Sequence, residues 1–319
     1  MSLNLGVKQS VREVFGKTLE SLGANDDRVV VLDADLSGST QTKFFAKSFP
    51  ERFFDVGIAE QNLVSIATGL AVAGKIPFTA TFAVFATGRT YDQIRNSVCY
   101  QNANVKIIGT HGGLTVGEDG ATHQSLEDVS LMRGLPNMTV IVPADAKECE
   151  EAVKFAYSHN GPVYIRISRN NLPDIFDKDY KLENRANVIL EGKDVTVITN
   201  GEMLAIVLEA AEALAKKGIS VKVVNLPFVK PFDTKGVLEC VKQTGIAVTV
   251  ENHSIIGGIG SAVCEALSEN NPLPVLRLGV CDEFGQSGTQ TALMKEYGLD
   301  AISIAERIER FYDSVKSGN

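Results

Sequence analysis

The chain has 319 residues, 44% of them hydrophobic and 22% charged, with a formal net charge of −8, and this length suits two domains of about 150 residues each. No apolar segment approaches the roughly 18 residues that span a bilayer, no basic block favours nucleic acid or an anionic membrane, and the N-terminus lacks signal-peptide features, so we expect a cytoplasmic protein with neither kind of partner. Five scattered cysteines without a Cys-x-x-Cys indicate reduced thiols.

Short β-branched segments alternate with helical patterns through the first half of the chain. This alternation predicts an α/β fold with a mostly parallel sheet. The strands are predicted at 29–32, 77–81, 105–108, 139–142 and 163–167, and the helices at 11–22, 60–73 and 146–157.

A polar, proline-bearing stretch follows Arg169, and a second alternating unit follows that stretch. We therefore predict a first domain at 1–175, a linker at 176–192 and a smaller α/β domain at 193–319. Gly257-Gly-Ile-Gly260 opens an apolar helix, but it lacks the full Gly-x-Gly-x-x-Gly, so a tight turn is favoured over a dinucleotide site. The strands of the second unit are predicted at 195–198, 221–224, 246–250 and 275–278, and the helices at 202–217 and 302–315.

Five glycines lie within the twelve residues Gly109 to Gly120, and the overlapping stretch His111 to His123 carries two of the chain's four histidines. Such a density is typical of backbone that turns through positive φ or that lets a bulky ligand approach closely. His111, Asp119 and His123 supply groups that donate, accept or move protons near neutral pH. The alternative is that the two histidines and the aspartate only stabilise a long surface loop. We predict no metal site, because the order His, seven residues, Asp, three residues, His matches no usual zinc spacing.

Two further features surround this loop in the predicted sheet. Glu60 opens a predicted helix, where it either points into a ligand crevice or only interacts with the helix dipole. Phe82 and Phe85 follow a predicted strand, where they either stack on a ligand or belong to the core.

The order of these features resembles the pyrimidine-binding domain of transketolases over residues 10 to 170. The resemblance rests on Val29-Val-Val-Leu-Asp-Ala-Asp35-Leu-Ser, Val56-Gly-Ile-Ala-Glu60, Gly117-Glu-Asp-Gly-Ala-Thr-His123-Gln and Ile165-Arg-Ile-Ser-Arg169-Asn. It implies the thiamine-diphosphate-binding fold, and the second unit resembles the C-terminal domain of the family, whose role there is structural.

The resemblance implies a cofactor site on this chain. Glu60 stands where the family's acid hydrogen-bonds N1′ of the thiamine diphosphate aminopyrimidine, which favours the imino form that removes the thiazolium C2 proton. Phe82 and Phe85 occupy the positions that pack on the pyrimidine ring. Asp35 and Leu36 lie near the thiazolium-side contacts.

The resemblance also implies a sugar-phosphate site. Arg12, Ser39, His111 and Arg169 fall at the positions that bind the terminal phosphate. Asp119 falls at the position that contacts the sugar's C2 hydroxyl. His123 falls at the position that contacts the two-carbon fragment attached to the cofactor, and the resemblance implies that it is catalytic.

Departures from the family pattern concern both the reaction and the length. Gly88 replaces an aromatic residue, Gln61 stands where transketolases usually have histidine, and the segment 89–93 resembles deoxyxylulose-phosphate synthase. A full transketolase is about twice as long, and its first half carries the Gly-Asp-Gly motif, which this sequence lacks. The resemblance therefore implies a partner chain, an N-terminal transketolase subunit that binds the diphosphate and Mg²⁺ (or Ca²⁺) in an α2β2-like assembly.

The leading hypothesis is a transferase subunit that moves a two-carbon ketol unit between sugar phosphates and is inactive alone. A 1-deoxyxylulose-5-phosphate synthase-like enzyme is one alternative. The beta-type subunit of a 2-oxoacid dehydrogenase is another, although it would not need Arg12 or Arg169. A cofactor-free assembly or regulatory protein remains a third.

Overall fold

Residues 6–318 are described in a computed structural model of the chain. The strands are β1 (Lys8–Ser10), β2 (Val29–Asp33), β3 (Phe53–Asp55), β4 (Ile76–Phe82), β5 (Lys106–Thr110), β6 (Thr139–Ile141), β7 (Val163–Ile167), β8 (Asn171–Pro173), β9 (Asn187–Leu190), β10 (Val195–Thr199), β11 (Val221–Asn225), β12 (Phe228–Lys230), β13 (Ala247–Ser254) and β14 (Val275–Val280). The α-helices are α1 (Val11–Asn25), α2 (Ser37–Thr40), α3 (Lys43–Ser48), α4 (Glu60–Val72), α5 (Tyr91–Gln93), α6 (Asp128–Arg133), α7 (Ala146–Ser158), α8 (Met203–Lys216), α9 (Thr234–Val241), α10 (Ile259–Asn270), α11 (Gln290–Glu296) and α12 (Ala301–Ser317).

The first sheet has seven strands in the order β12-β6-β7-β5-β4-β2-β3, and all its neighbours are parallel except β12 and β6. The predicted α/β class with parallel sheet is confirmed. Since parallel strands end at one edge, the residues that follow β2, β4, β5 and β7 converge there. Those segments carry most of the predicted site residues.

Alternate residues of the central strands pack on opposite faces of this sheet. Val29 and Val31 of β2 belong to the core under α1 and α7, whereas Val30 and Leu32 belong to the core under α4. A strand that is buried on both faces reads as a continuous apolar run, which is why β2 was predictable. The sheet is therefore a rigid platform for the loops at its edge.

The second sheet has five strands in the order β14-β13-β10-β11-β9. Two features of the second unit were not expected from the sequence. The range predicted as a linker contains β9, which pairs antiparallel with β11, and β12 leaves the second unit to join the first sheet beside β6. Edge strands of three or four residues carry too little alternation to be recognised in a sequence.

A helical segment with π-helical turns lies between β4 and β5. Its turns at Phe85–Arg89 and Ile94–Cys99 have π-type hydrogen bonding and flank α5. Such turns occur frequently at functional sites. No helix in residues 6–318 is long and apolar enough to cross a membrane.

Candidate active site

Two residues at the carboxyl edge of the first sheet adopt left-handed backbone. Asp35, just after β2, has φ of 59°, and His111, just after β5, also has φ of 59°. Left-handed backbone is costly for residues other than glycine and clusters at functional sites. The edge is therefore strained at two of the positions that the sequence singled out.

An aromatic cluster joins the strand ends. The ring centroids of Phe82 and His111 are 4.0 Å apart, and the rings of Phe82 and Phe85 are stacked with centroids 6.2 Å apart. His123 meets Phe85 edge-on at 5.3 Å. The two phenylalanines and the two histidines of the sequence analysis thus form one contiguous surface.

Glu60 lies in the first turn of α4 with only 3% of its surface exposed. Its Oε1 accepts a hydrogen bond of 2.9 Å from Nη1 of Arg89, and the Arg89 guanidinium lies 4.5 Å from the centroid of the Phe85 ring. Arg89 thus covers the ring beside Gly88, where an aromatic residue was expected. Sequence reasoning gave Arg89 no role at the site, although its place in the segment that resembles the synthase was a signal.

Three cationic or potentially cationic groups converge beside the aromatic cluster. Burial first, and then Arg12 and Arg169, lower the pKa of His111 to about 3. Burial and Arg169 also lower the pKa of Arg12. The carboxylate paired with these groups among the described residues is the exposed Glu118, 3.8 Å from Nη1 of Arg169, so one acid faces two arginines. Net positive charge therefore remains at this point, which favours an anionic ligand.

A short antiparallel ribbon explains why the two arginines meet. Strand β1 pairs with β8 in the register Ser10 opposite Asn171. Arg12 lies two residues after Ser10 and Arg169 lies two residues before Asn171, so the pairing brings them to the same end of the ribbon. Arg12 also donates from Nη1 to the backbone carbonyl of Ser39 at 2.7 Å, and its buried Nε has no partner among the described residues.

Asp33 organises the loop after β2. Its carboxylate accepts from the Leu36 backbone at 2.6 Å and from the hydroxyls of Thr40 and Thr42 at 2.7 and 2.8 Å. Burial raises the pKa of Asp33. Sequence reasoning missed this role, although an acid that ends a buried strand at the sheet edge is a usable signal.

The predicted glycines at 113, 117 and 120 have φ of 81°, 85° and 75°, as the expected turns require. Two of these glycines are also closely approached, but by other residues of the same chain and not by a ligand. A Cβ on Gly113 would lie 2.4 Å from Nδ2 of Asn252, and one on Gly120 would lie 2.5 Å from Oγ of Ser287. These glycines therefore fit the loop against the second unit of the chain.

Three predicted residues are not joined to the aromatic cluster by contacts among the described residues. The side chain of Asp35 is exposed, and its backbone N–H donates to Asp55 at 3.1 Å. Leu36 is half-buried in the loop that Asp33 holds, and Asp119 is exposed. Ser39 contacts the site through its backbone carbonyl, which binds Arg12, not through its hydroxyl.

The other candidate ligand sites are filled or absent. In residues 6–318, no group of three or more His, Cys, Asp or Glu side chains could hold a metal ion. At the start of α10, the Glu251 carboxylate accepts from the backbone N–H groups of Ile259 and Gly260 at 2.9 and 3.0 Å. This carboxylate occupies the space above the glycines that a phosphate would need.

Comparisons with known proteins cover nearly the whole chain. Residues 7–174 match the family profile of the transketolase pyrimidine binding domain, and residues 184–304 match that of the transketolase C-terminal domain. A protein of Methanocaldococcus jannaschii, provisionally named a transketolase C-terminal section, is 45% identical over 307 residues, which are 95% of this chain and 96% of that protein.

Two further relatives point the same way. The 6-deoxy-6-sulfo-D-fructose transketolase subunit of Clostridium sp. strain MSTE9 is 44% identical over 295 residues, which are 92% of each chain. A solved structure described as a split gene transketolase, an inactive beta4 tetramer, superimposes with a TM-score of 0.89 at 50% identity, over 95% of this chain and 98% of that one.

Proposed function

This chain belongs to the transketolase family, and we propose that it is the subunit of a two-chain transketolase that binds the cofactor's pyrimidine and the anionic end of a sugar substrate. In this role it transfers a two-carbon ketol unit between sugar phosphates. The family depends on thiamine diphosphate, which supplies the nucleophilic carbon of the reaction when bound.

The observation that carries the proposal is the convergence of Arg12, Arg169 and His111. Two guanidinium groups provide charge and forked donors for a phosphate. His111 stays neutral at physiological pH because its pKa is about 3, so it serves as a hydrogen-bonding group without adding charge. The net charge of the whole chain is −8, so this pocket is a local exception to an acidic surface.

The residues around Glu60 fit an aminopyrimidine ring. The Arg89 guanidinium is a flat group that lies over Phe85 and donates to Glu60. An aminopyrimidine is also flat and makes the same two kinds of contact, a ring face and a carboxylate. We infer that Glu60, Phe82 and Phe85 hold the pyrimidine, that His123 faces the reacting fragment, and that Asp35 and Leu36 border the thiazolium side.

The substrate proposed is a phosphorylated ketose or aldose, with Ser39 near the phosphate and Asp119 at the C2 hydroxyl. The relative from Clostridium is named for a sulfonated sugar. A sulfonate shares the anionic oxygens of a phosphate, so the arginines alone do not choose between them. The chemical class proposed is therefore a sugar with a terminal oxyanion, and the phosphate is the first choice.

An N-terminal subunit is the partner proposed, with the Gly-Asp-Gly motif, the diphosphate site and Mg²⁺ (or Ca²⁺), in an α2β2 assembly. Relatives that are themselves sections or subunits of transketolases support a division of the enzyme into two chains. The inactive tetramer of the solved relative supports the view that a beta chain needs a partner.

Reconstitution tests the proposal. Both chains are mixed with thiamine diphosphate, Mg²⁺, xylulose 5-phosphate and a panel of aldose phosphates, and the products are analysed. We expect a ketose two carbons longer than the acceptor, formed only when both chains are present. The same chain with Glu60→Gln is the negative control. If no aldose or ketose phosphate is converted, the proposal is wrong.

A deoxyxylulose-phosphate synthase-like reaction is the second candidate. The segment 89–93 favours it, because Arg89 lies directly on the Glu60–Phe85 surface. The same reconstitution with pyruvate as the donor separates the two reactions. Release of CO₂ with pyruvate, without transfer from a ketose phosphate, would favour the synthase.

A further inference from the structure

One carboxylate from the second unit of the chain reaches both walls of the candidate substrate pocket. Glu202 precedes α8 and is only 9% exposed. Its Oε1 accepts from the hydroxyl of Thr115 at 2.8 Å, in the glycine-rich loop. Its Oε2 accepts from Ser168 at 2.7 Å and from Asn170 at 3.1 Å, which lie on either side of Arg169.

Asn252 of β13 completes this arrangement. Its Nδ2 donates to Oε1 of Glu202 at 2.5 Å, and its Oδ1 accepts from the backbone N–H of Leu114 at 2.9 Å. Asn252 is buried, and it fits because Gly113 has no side chain. The loop is therefore fixed to the second sheet at two consecutive residues, Leu114 and Thr115.

Arg169 lies at the centre of these contacts. Its Nη1 donates to the backbone carbonyl of Val116, the residue after Thr115. Glu202 thus holds the neighbours of Arg169 with one oxygen and the neighbour of Val116 with the other. Its four hydrogen-bond donors among the described residues are all neutral, and together they stabilise this carboxylate.

We propose that Glu202 is a positioning residue that sets the place of Arg169 against the glycine-rich loop, so that the second unit of the chain determines the affinity for the substrate's anionic end. The proposal rests on the proposed function, in which Arg169 binds that anion. It assigns the C-terminal domain a part in substrate binding beyond a structural one.

The experiment compares Glu202→Ala, Glu202→Gln and Thr115→Val in the two-chain enzyme. The donors are a ketose phosphate and the same ketose without phosphate. For Glu202→Ala we expect the KM of the phosphorylated donor to rise roughly tenfold, since several charge-assisted hydrogen bonds to one carboxylate are lost. The KM of the unphosphorylated donor should stay within about twofold of wild type.

The other two variants separate positioning from folding. Glutamine keeps the volume and the acceptor toward Thr115 and Asn252. On the other side the Ser168 hydroxyl can accept and the Asn170 amide can turn its Oδ1 toward the new NH2, so Glu202→Gln should recover most of the affinity. Thr115→Val removes only the hydrogen bond between the glycine-rich loop and Glu202, so the KM of the phosphorylated donor should rise less. Glu209→Ala, at an exposed position of the same helix, is the matched control and should match wild type.

Hydrogen exchange of residues 112–120 in the isolated full chain gives a readout independent of activity. Glu202→Ala should accelerate exchange there and leave the central strands protected. Unchanged exchange, or equal KM changes for both donors, would overturn the proposal. If the wild-type pair converts no sugar phosphate, the proposed function fails, and the exchange measurement still decides whether Glu202 positions the loop.

Discussion

Glu60 combines burial with an ion pair to a half-exposed arginine. The pair with Arg89 is at 2.9 Å, but 47% of the Arg89 side chain is exposed. Because the Arg89 side chain is already half in solvent, it can be rehydrated when it leaves, and a ring that takes over its hydrogen bond keeps the buried carboxylate paired. The contact suits a site that is complete only after a ligand enters.

Replacing Glu60 by glutamine tests its proposed proton role. Glutamine keeps an acceptor for Arg89 and the packing at the start of α4, but it cannot share a proton with a pyrimidine nitrogen. We expect turnover of the reconstituted enzyme to fall about 100-fold or more, with an unchanged melting temperature. Glu269→Gln at an exposed site is the control. Near-normal turnover of Glu60→Gln would remove the assignment.

Arg12→Ala and Arg169→Ala test the phosphate pocket. Each substitution removes one charge-assisted contact, which costs about 1.5–3 kcal/mol, so KM for a sugar phosphate should rise roughly 10- to 150-fold. Both arginines also donate to a backbone carbonyl, Arg12 to Ser39 and Arg169 to Val116, so the melting temperature of each variant is measured beside its KM. Arg95→Ala, on the exposed side of the helical segment after β4, should leave KM unaltered. An unaltered KM in both test variants would contradict the pocket.

His111 is expected to stay neutral through the physiological range. Its pKa of about 3 results from burial and from Arg12 and Arg169, all of which disfavour the imidazolium. In NMR spectra of the histidine-labelled free chain, its ring signal should not move between pH 5 and pH 8. His111→Asn identifies the signal. An inflection near pH 6.5 would mean that the ring is solvated and that the two arginines lie farther from it.

At the scale of elements, sequence reasoning succeeded where a pattern is local. Strand β2 and helix α7 were predictable because a continuous apolar run and a 3.6-residue period each lie within one stretch of chain. Strands β1 and β8 were not, because each has three residues and exists only through the other. Yet this ribbon is what brings Arg12 to Arg169.

The same distinction holds at the site. Phe82 and Phe85 could be proposed from their place after a strand. The roles of Arg89 and Glu202 could not, because each depends on a partner far away in the chain, 29 residues for Arg89 with Glu60 and 87 residues for Glu202 with Thr115. Polar contacts of this kind have no sequence period.

The first turn of helix α7 carries a buried acid that connects three parts of the chain. Glu148 accepts from the Tyr180 hydroxyl at 2.6 Å, from Asn225 of β11 at 2.8 Å and from the Ala144 backbone at 2.7 Å. Burial raises its pKa to about 7. Its folded pKa therefore exceeds the unfolded value near 4.5, so its stabilising effect is full below that value and is lost as pH rises through 7.

Glu148→Gln should therefore flatten the pH dependence of stability. Glutamine resembles the neutral acid, and its amide can donate to Oδ1 of Asn225, which has no partner among the described residues. The melting temperature of the variant relative to wild type should rise steadily between pH 5 and pH 8. Glu150→Gln, on the same helix but paired with Lys147 and Lys154, should show no such trend. A constant difference for Glu148→Gln would refute the raised pKa.

At the scale of the whole molecule, residues of both units build the candidate site. Glu60, the aromatic cluster and the arginines lie at the edge of the first sheet. The second unit holds the glycine-rich loop through Glu202 and Asn252, and its strand β12 pairs with β6 of the first sheet. A break between the units would therefore disturb the pocket. If Arg169 binds the substrate's anion as proposed, that binding would be coupled to the relative placement of the two units.

The proposed division of the enzyme into two chains predicts how the cofactor binds. This chain is proposed to contact the pyrimidine through Glu60, Phe82 and Phe85, whereas the diphosphate and Mg²⁺ carry most of the charge and are assigned to the partner. Affinity depends on both ends, because each contact that is lost raises the dissociation constant multiplicatively.

Isothermal titration calorimetry should accordingly detect no tight binding of thiamine diphosphate with Mg²⁺ by this chain alone. Binding should appear when the partner is added to this chain. It should be weaker when the partner is mixed with the Glu60→Gln variant of this chain in place of wild type. The isolated partner is the matched control, since it lacks the pyrimidine wall and should also bind weakly. Tight binding by this chain without its partner would mean that the diphosphate site lies within these 319 residues, and the two-chain proposal would be wrong.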